Sequence, residues 1–276
     1  MVKMLILSGG LGNQMFEYAF FLSCKARGMK VRLNRSLYEY NRMHNGYLLD
    51  TVFGVPDKEV MDVNRMTVLA TRILRRYHPC CLVYAEQALT FCDDAYTTKR
   101  PFYDGVFISE LYFKEIEDRI RQAFVFRSID PDNINLGKKM LSEDSVSLHI
   151  RRGDYLSSPE YGVCDEAYYQ KAIDCIKKRI RHPMFYVFSD DSAWGESFMQ
   201  KMAVDYKVVR HNTGVDSYKD MYLMTRCRHN IIANSTFSWW GAWLNDNEQK
   251  IVVAPKRWIK SKNVQPNAVG WYEIDN

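Results

Sequence analysis

The chain opens on a short apolar run at residues 3–8 that stops at a Gly-Gly pair. Beyond it Met15, Phe16, Ala19, Phe20, Ser23 and Ala26 recur at helical spacing as far as Gly28. This predicts a strand, a glycine turn and a helix, and residues 30–33 complete a β-α-β unit. Between residues 34 and 144 the pattern is weaker. It predicts a helix over 57–77, ended ahead of Pro79, then a strand at 105–109 feeding a helix over 110–126. The second half is more regular. Apolar or β-branched runs at 145–150, 184–189, 206–209, 230–233 and 250–254 alternate with helical segments, the signature of a parallel, doubly wound α/β sheet. Residues 128–136 carry Pro131 with Asp130, Asp132, Asn133 and Asn135, and this break separates an expected N-terminal lobe, 1–135, from a C-terminal lobe, 136–276. Neither a fixed-period repeat nor a low-complexity tract is present.

Composition narrows the function classes. With 276 residues and 47% of them hydrophobic, the chain can build substantial cores. Its formal charge of +5, from 38 basic and 33 acidic side chains, suits an anionic small ligand and argues against a nucleic-acid footprint. Cys24, Cys80, Cys81, Cys92, Cys164, Cys175 and Cys227 form neither a C-x-x-C pair nor a zinc-ligand spacing, so reduced, mostly structural thiols are expected. The apolar stretch at residues 4–7 is too short for a signal-peptide core or a membrane span, and a cytoplasmic protein is expected. The run Arg72, Ile73, Leu74, Arg75, Arg76 reads first as a solvated helix face, with peripheral contact to anionic lipid as the alternative.

Three motifs fall at consecutive predicted strand ends. In His149-Ile150-Arg151-Arg152-Gly153-Asp154-Tyr155, two guanidinium groups offer fixed donor forks to phosphate oxygens, and Gly153 lets the backbone turn tightly beneath a ligand. Taken alone, such a pair is by default a surface Arg pair bridged to Asp154. Ser189-Asp190-Asp191 follows the next strand, and its carboxylates can accept from a guanine N1–H and amine, or simply cap a helix. Asn234, Ser235 and Thr236 can cap the helix that carries Ser238, Trp239 and Trp240, and the start of that helix is a ready anion site. Convergence on one rim favours a nucleoside diphosphate over three unrelated structural explanations. Gly9-Gly10-Leu11-Gly12-Asn13-Gln14 departs from a dinucleotide fingerprint, because Met15 stands at the third glycine position and Asn34 and Arg35 replace the acidic ribose partner. No P-loop motif occurs. Asp130-Pro131-Asp132 has the shape of a metal-binding Asp-x-Asp but reads more easily as a helix-starting turn.

Together, Gly9-Gly10-Leu11-Gly12-Asn13-Gln14-Met15-Phe16, the 149–155 motif, Ser189-Asp190-Asp191 and the run from Asn234 to Leu244 resemble the bacterial α-1,2-fucosyltransferase family, in order and over nearly the whole chain. The closing residues Ile251-Val252-Val253-Ala254-Pro255, Trp258 and Trp271 are similar to that family's ending. The resemblance implies a GT-B-like architecture, two Rossmann-like lobes with a cleft between them. It also implies inverting, metal-independent transfer from GDP-β-L-fucose to O2 of a galactose in an oligosaccharide or lipid-linked glycan. It places Arg151 on the β-phosphate, His149 and one of Asp190 or Asp191 on the guanosine, Ser235, Thr236 or Ser238 on the phosphates, and Asn13 and Gln14 on the fucose or acceptor side. Arg152 and Asn234 complete the expected donor site. No cofactor beyond the donor substrate is expected. Arg151, Asp154 and His149 are the catalytic candidates, with Asp154 preferred over His149 as base and an orienting role toward the arginines as its alternative. The competing functions are a non-catalytic sugar-nucleotide or glycan-binding protein and an NADP-dependent reductase.

Overall fold

A computed structural model of the chain describes residues 1–39, 45–61, 63–86, 90–157, 162, 164–260 and 266–276. The chain divides into two compact units, Met1–Ser128 and Ile129–Asn276, each holding one all-parallel sheet. Helix Pro131–Ser142, which straddles the expected boundary at 135, belongs wholly to the second unit.

In the first unit the order is β1 (Lys3–Ile6), α1 (Leu11–Ala26), β2 (Val31–Asn34), α2 (Leu49–Phe53), α3 (Arg65–Tyr77), β3 (Val83–Ala85), α4 (Asp94–Thr97), β4 (Phe102–Asp104) and α5 (Glu117–Ala123). Its sheet runs β2-β1-β4-β3. Gly9, at φ +75°, makes the left-handed turn that a side chain would strain, and it delivers the chain into α1. From α1, Phe20 stacks on Phe107 with ring centroids 3.9 Å apart, while Tyr103 and Tyr112 meet it edge-on.

Three expectations are corrected here. The helix predicted over 57–77 starts only at Arg65, because Asn64 closes a capping box: its side chain accepts from the Thr67 N–H and Thr67 Oγ1 accepts from the Asn64 N–H. The strand predicted at 105–109 lies instead at Phe102–Asp104. Phe107 sits at φ +57°, outside strand geometry, and its N–H donates to Glu86 Oε2 at 2.6 Å. The helix expected after it breaks into two short 3-10 turns before α5. Strand β3 carries no signal strong enough to be predicted.

The second unit continues with α6 (Pro131–Ser142), β5 (Ser145–Ile150), α7 (Glu166–Lys177), β6 (Met184–Ser189), α8 (Ser192–Gln200), β7 (Tyr206–Val209), α9 (Tyr218–Arg226), β8 (His229–Ile231), α10 (Thr236–Trp243), β9 (Val252–Pro255) and β10 (Tyr272–Ile274). Apart from the unpredicted β10, its strands match the expected runs to within two residues. The order β10-β9-β8-β5-β6-β7 has one consequence for function. The chain winds from β5 outward to β7, then crosses back to β8 on the other side of β5. The crevice at the carboxyl ends of β5 and β8 is therefore the topological switch point, where doubly wound sheets leave room for a ligand. Alternation along β6 fills two cores: Phe185 and Val187 pack with Tyr168, Tyr169 and Ile173 of α7, while Tyr186 and Phe188 pack with Leu223 and Met224 of α9.

Helices α9 and α10 approach closely at Gly241, where an added Cβ would lie 2.8 Å from Met224 Cβ. We expect Gly241→Val to overpack this contact and lower the unfolding free energy by about 1–3 kcal/mol, read as a reduced urea midpoint with an unchanged slope.

Candidate active site

At the carboxyl end of β5 the chain leaves the sheet through His149, Ile150, Arg151 and Arg152. Asp190, just beyond β6, holds this exit loop in place: its Oδ1 accepts from the Arg152 N–H at 2.9 Å and its Oδ2 lies 2.9 Å from Arg151 Nη1. A Cβ on Gly153 would stand 2.8 Å from that same Oδ2. Gly153 leaves room for the approach of Asp190, and the turn it makes needs no positive φ. The second Arg151 nitrogen, Nη2, meets Asp154 Oδ1 at 2.6 Å, and the guanidinium lies 5.5 Å from the Tyr155 ring centroid. Arg152 pairs through Nε with Asp191 Oδ2 at 3.2 Å and lies over the Trp194 ring at 4.3 Å. Asp191 also caps α8, accepting the Trp194 N–H at 3.1 Å. Both aspartates are committed to the arginines in this state, and the capping reading of Asp191 holds as well.

The third motif closes on the first. The Tyr155 hydroxyl donates to the Asn234 carbonyl at 3.2 Å, and the Phe237 ring lies 5.9 Å from that of His149. Asn234 does not cap α10: its buried amide donates to the carbonyls of Gly162 at 2.7 Å and Trp258 at 3.1 Å, tying the loops beneath the rim. Ser235 occupies the N-cap but makes no side-chain capping bond, whereas Asp130, Asp165 and Asp191 all cap their helices. Ser238 is buried and donates to the Ser235 carbonyl at 3.3 Å. Thr236 opens the first turn of α10. The start of this helix follows β8 and the two arginines follow β5, the strands that flank the switch point, and a helix start and guanidinium groups both favour an anion.

His149 is buried, and its Nδ1 has no hydrogen-bonding partner. Burial, with the Arg151 charge as a smaller contribution, pushes its pKa down to about 3. A neutral imidazole with an idle nitrogen is suited to hydrogen-bonding a ligand and is a feeble proton acceptor.

One rim residue carries no signal in any of the three motifs. Asp220 lies in the first turn of α9, which follows β7 back from the same edge, and its Oδ1 accepts from Asn212 Nδ2 at 2.8 Å. Asn212 exchanges hydrogen bonds with the buried Asn133 of α6. Burial raises the Asp220 pKa to about 7, against the opposing pull of the Asn212 bond. Its one signal in the sequence is an acidic residue a turn into a helix that starts from the rim. Asp130-Pro131-Asp132 is a helix start: Asp130 caps α6 and pairs with Lys219 at 3.1 Å. Among the described residues no three His, Cys, Asp or Glu side chains converge in a metal-binding group.

Asn13 and Gln14 lie in the first unit. Gln14 is fully buried, with Nε2 on the carbonyls of Gly9 and Gly46 and Oε1 on the Leu48 N–H, so its amide braces the glycine turn. Asn13 is partly exposed beside Gly9. Cys24, Cys164 and Cys227 are buried, while Cys80, Cys81 and Cys92 are exposed.

His149 sets up a test of this electrostatic picture. The unfolded chain binds the His149 proton below about 6.5 and the folded chain only below about 3, so this residue's contribution to stability is intact above 6.5 and declines as pH falls through that window. The imidazole carbon shifts of His149, followed by NMR, are expected to stay constant from about pH 8 to 5.

A family model for glycosyl transferase family 11 matches residues 2–274. An Escherichia coli alpha-1,2-colitosyltransferase is 32% identical, covering 98% of this chain and 97% of its own length. The E. coli O-antigen biosynthesis glycosyltransferase WbnK is also 32% identical, over 93% of this chain and 95% of its own. A rabbit galactoside alpha-(1,2)-fucosyltransferase 1 is 29% identical over 86% of this chain and 62% of its own. Among solved structures, an Arabidopsis thaliana FUT1 mutant in complex with GDP superposes with a TM-score of 0.55 at 12% identity, covering 91% of this chain and 70% of that one, a likeness of fold. With its two parallel α/β units of GT-B type and a match spanning nearly every residue, the chain belongs to glycosyl transferase family 11.

Proposed function

We propose that this glycosyltransferase moves L-fucose from GDP-β-L-fucose to O2 of a terminal galactose in a glycan, with inversion and without a metal ion. The observation that carries the reading is Arg151 at the carboxyl end of β5, on the same rim as the start of α10, where Ser235 makes no side-chain capping bond. In the reaction the acceptor oxygen attacks the anomeric carbon, the bond from that carbon to the β-phosphate oxygen breaks, and its electron pair stays on GDP. Arg151 faces the charge that grows there. A fixed cation so placed is worth about 3–4 kcal/mol of barrier, comparable to one oxyanion-hole donor.

The charge balance suggests how the donor enters. Arg151 and Arg152 are matched by Asp154, Asp190 and Asp191, so a diphosphate must displace a carboxylate. Asp190 is pinned by the Arg152 N–H and packed against Gly153, whereas Asp154 is half exposed on a 3-10 turn. Asp154 is the one that yields. Released from Arg151, it becomes an unpaired carboxylate able to take the acceptor hydroxyl's proton. His149 and Asp220 fit the nucleobase, the first through its idle Nδ1 and the second as a carboxylate for adjacent N–H donors. With Asp190 and Asp191 occupied by the arginines, Asp220 is the better guanine partner. Asn13 is retained as a contact to the sugar or the acceptor.

The E. coli colitosyltransferase favours a second reading in which the donor sugar is colitose, which is fucose lacking its 3-hydroxyl. A site that hydrogen-bonds that hydroxyl rejects the deoxy sugar by about 10⁴-fold or more, so parallel assays with GDP-fucose and GDP-colitose separate the two.

Arg151→Ala is expected to lower kcat for GDP release, measured with donor and a galactoside acceptor, by roughly 10²–10³-fold with the circular dichroism spectrum unchanged; near-normal turnover would remove the centre of this proposal. Asp154→Asn is expected to abolish transfer while GDP-fucose affinity holds, and weakened affinity would show instead that Asp154 orients the arginine. If Asp220 binds guanine as a carboxylate, its pKa near 7 makes GDP bind more tightly at pH 8 than at pH 6. Calorimetry should find that difference lost in Asp220→Asn.

A further inference from the structure

Helix α3 buries one side only. Val68, Thr71 and Leu74 face the first unit's core, while Met66 at 74%, Leu69 at 55%, Ile73 at 49% and Tyr77 at 69% exposure stand in water. At about 100° per residue these four share one stripe opposite the buried face, and Arg65, Arg72 and Arg76 form a second stripe along its flank. Leu74, which lies among the arginines in the sequence, belongs to the core instead of the solvated face.

The helix cannot roll to hide its apolar stripe. Thr71 Oγ1 accepts hydrogen bonds from Asn34 Nδ2 at 2.9 Å and from Ser36 Oγ at 3.0 Å beneath it. The Asn64 capping box fixes its start. At its end Arg75 and His78 both bond Asp104 Oδ2, at 3.2 and 2.8 Å. Isolated apolar residues on a surface need no explanation, but four aligned on one helix form a patch.

The charge around the patch selects its partner. Residues 63–83 contain four arginines and no acidic residue. An apolar helical face edged on one side by arginines, with an amphipathic tyrosine at its end, matches the boundary between acyl chains and anionic headgroups. Among the described residues no helix is long and apolar enough to cross a membrane, so such contact is peripheral. We propose that the outer face of α3 docks the protein on an anionic lipid surface, with Met66, Leu69, Ile73 and Tyr77 entering the interface and Arg65, Arg72 and Arg76 meeting the headgroups. This docking is separate from the transfer chemistry: it uses none of the rim residues and requires neither donor nor acceptor.

Co-sedimentation with large unilamellar vesicles tests it. The wild-type chain is expected to pellet with phosphatidylglycerol–phosphatidylcholine vesicles, to do so far less with pure phosphatidylcholine, and to be released by about 0.5 M salt. Leu69→Asp/Ile73→Asp should abolish pelleting, and Arg65→Glu/Arg72→Glu/Arg76→Glu should weaken it by roughly 100-fold or more. Both variants alter exposed positions, so each should keep the wild-type circular dichroism spectrum and its turnover on a soluble galactoside. Failure of the wild type to bind anionic vesicles would overturn the proposal, as would binding that neither variant reduces. A concentration-dependent dimer in sedimentation equilibrium, lost in Leu69→Asp/Ile73→Asp without any vesicle binding, would assign the face to a second copy of the chain instead.

Discussion

The seating of Asp190 against Gly153 is the constraint around which the candidate site is arranged. The carboxylate reaches the Arg152 backbone N–H and the Arg151 guanidinium together, and a Cβ at residue 153 would force its Oδ2 to shift. That contact ties the loop after β5 to the end of β6. Tyr155 then ties the same loop to Asn234 at the end of β8. Three strand ends far apart in sequence thus share one polar frame, on the edge where the strand order reverses.

The parts of this frame differ in how visible they are in the sequence. The central strands of the second unit announce themselves because both faces are covered: Met184–Ser189 is a nearly continuous apolar run, and Ser145–Ile150 is rich in apolar residues and buried at every position. Tyr272–Ile274 gives no such run, being three largely exposed residues at a sheet edge, and Val83–Ala85 is apolar but only three residues long. Phe107 misleads for a physical reason. Its side chain joins the aromatic core as a strand residue's would, while its backbone is left-handed and bonded to Glu86, and hydrophobicity records only the first fact. By contrast, the start of α3 is legible in Asn64 and Thr67, whose spacing is that of a capping box, although the apolar pattern upstream of them extends the helix too far.

Within the site, residue types are easier to read than partners. The motifs place Arg151, Arg152, Asp190 and Asp191 on one rim, but not that each aspartate is committed to an arginine. Gln14 stands in a motif shared with the family and is fully engaged by backbone groups of its own unit. Asp220 belongs to no motif, and its significance lies in burial and in the Asn212 bond, neither of which can be read along the chain. Asn234 has the identity of a helix cap and is used instead to hold two loops.

The energetics of the rim explain why so many charges can be gathered there. Partly exposed arginine–aspartate pairs contribute roughly 0–1 kcal/mol each, so the fold does not depend on them. In the unit that carries these pairs, stability resides in the two apolar cores on either side of β6. Interactions that weak can be exchanged for a phosphate at little cost to the fold. A buried, fully desolvated pair could not, because breaking it would leave an uncompensated charge at a penalty of about 3–5 kcal/mol. The partly exposed setting of Arg151 and Asp154 is therefore a functional requirement in the proposed reaction. The guanidinium must be dry enough to stabilise a leaving group, yet wet enough to change partners when the donor arrives.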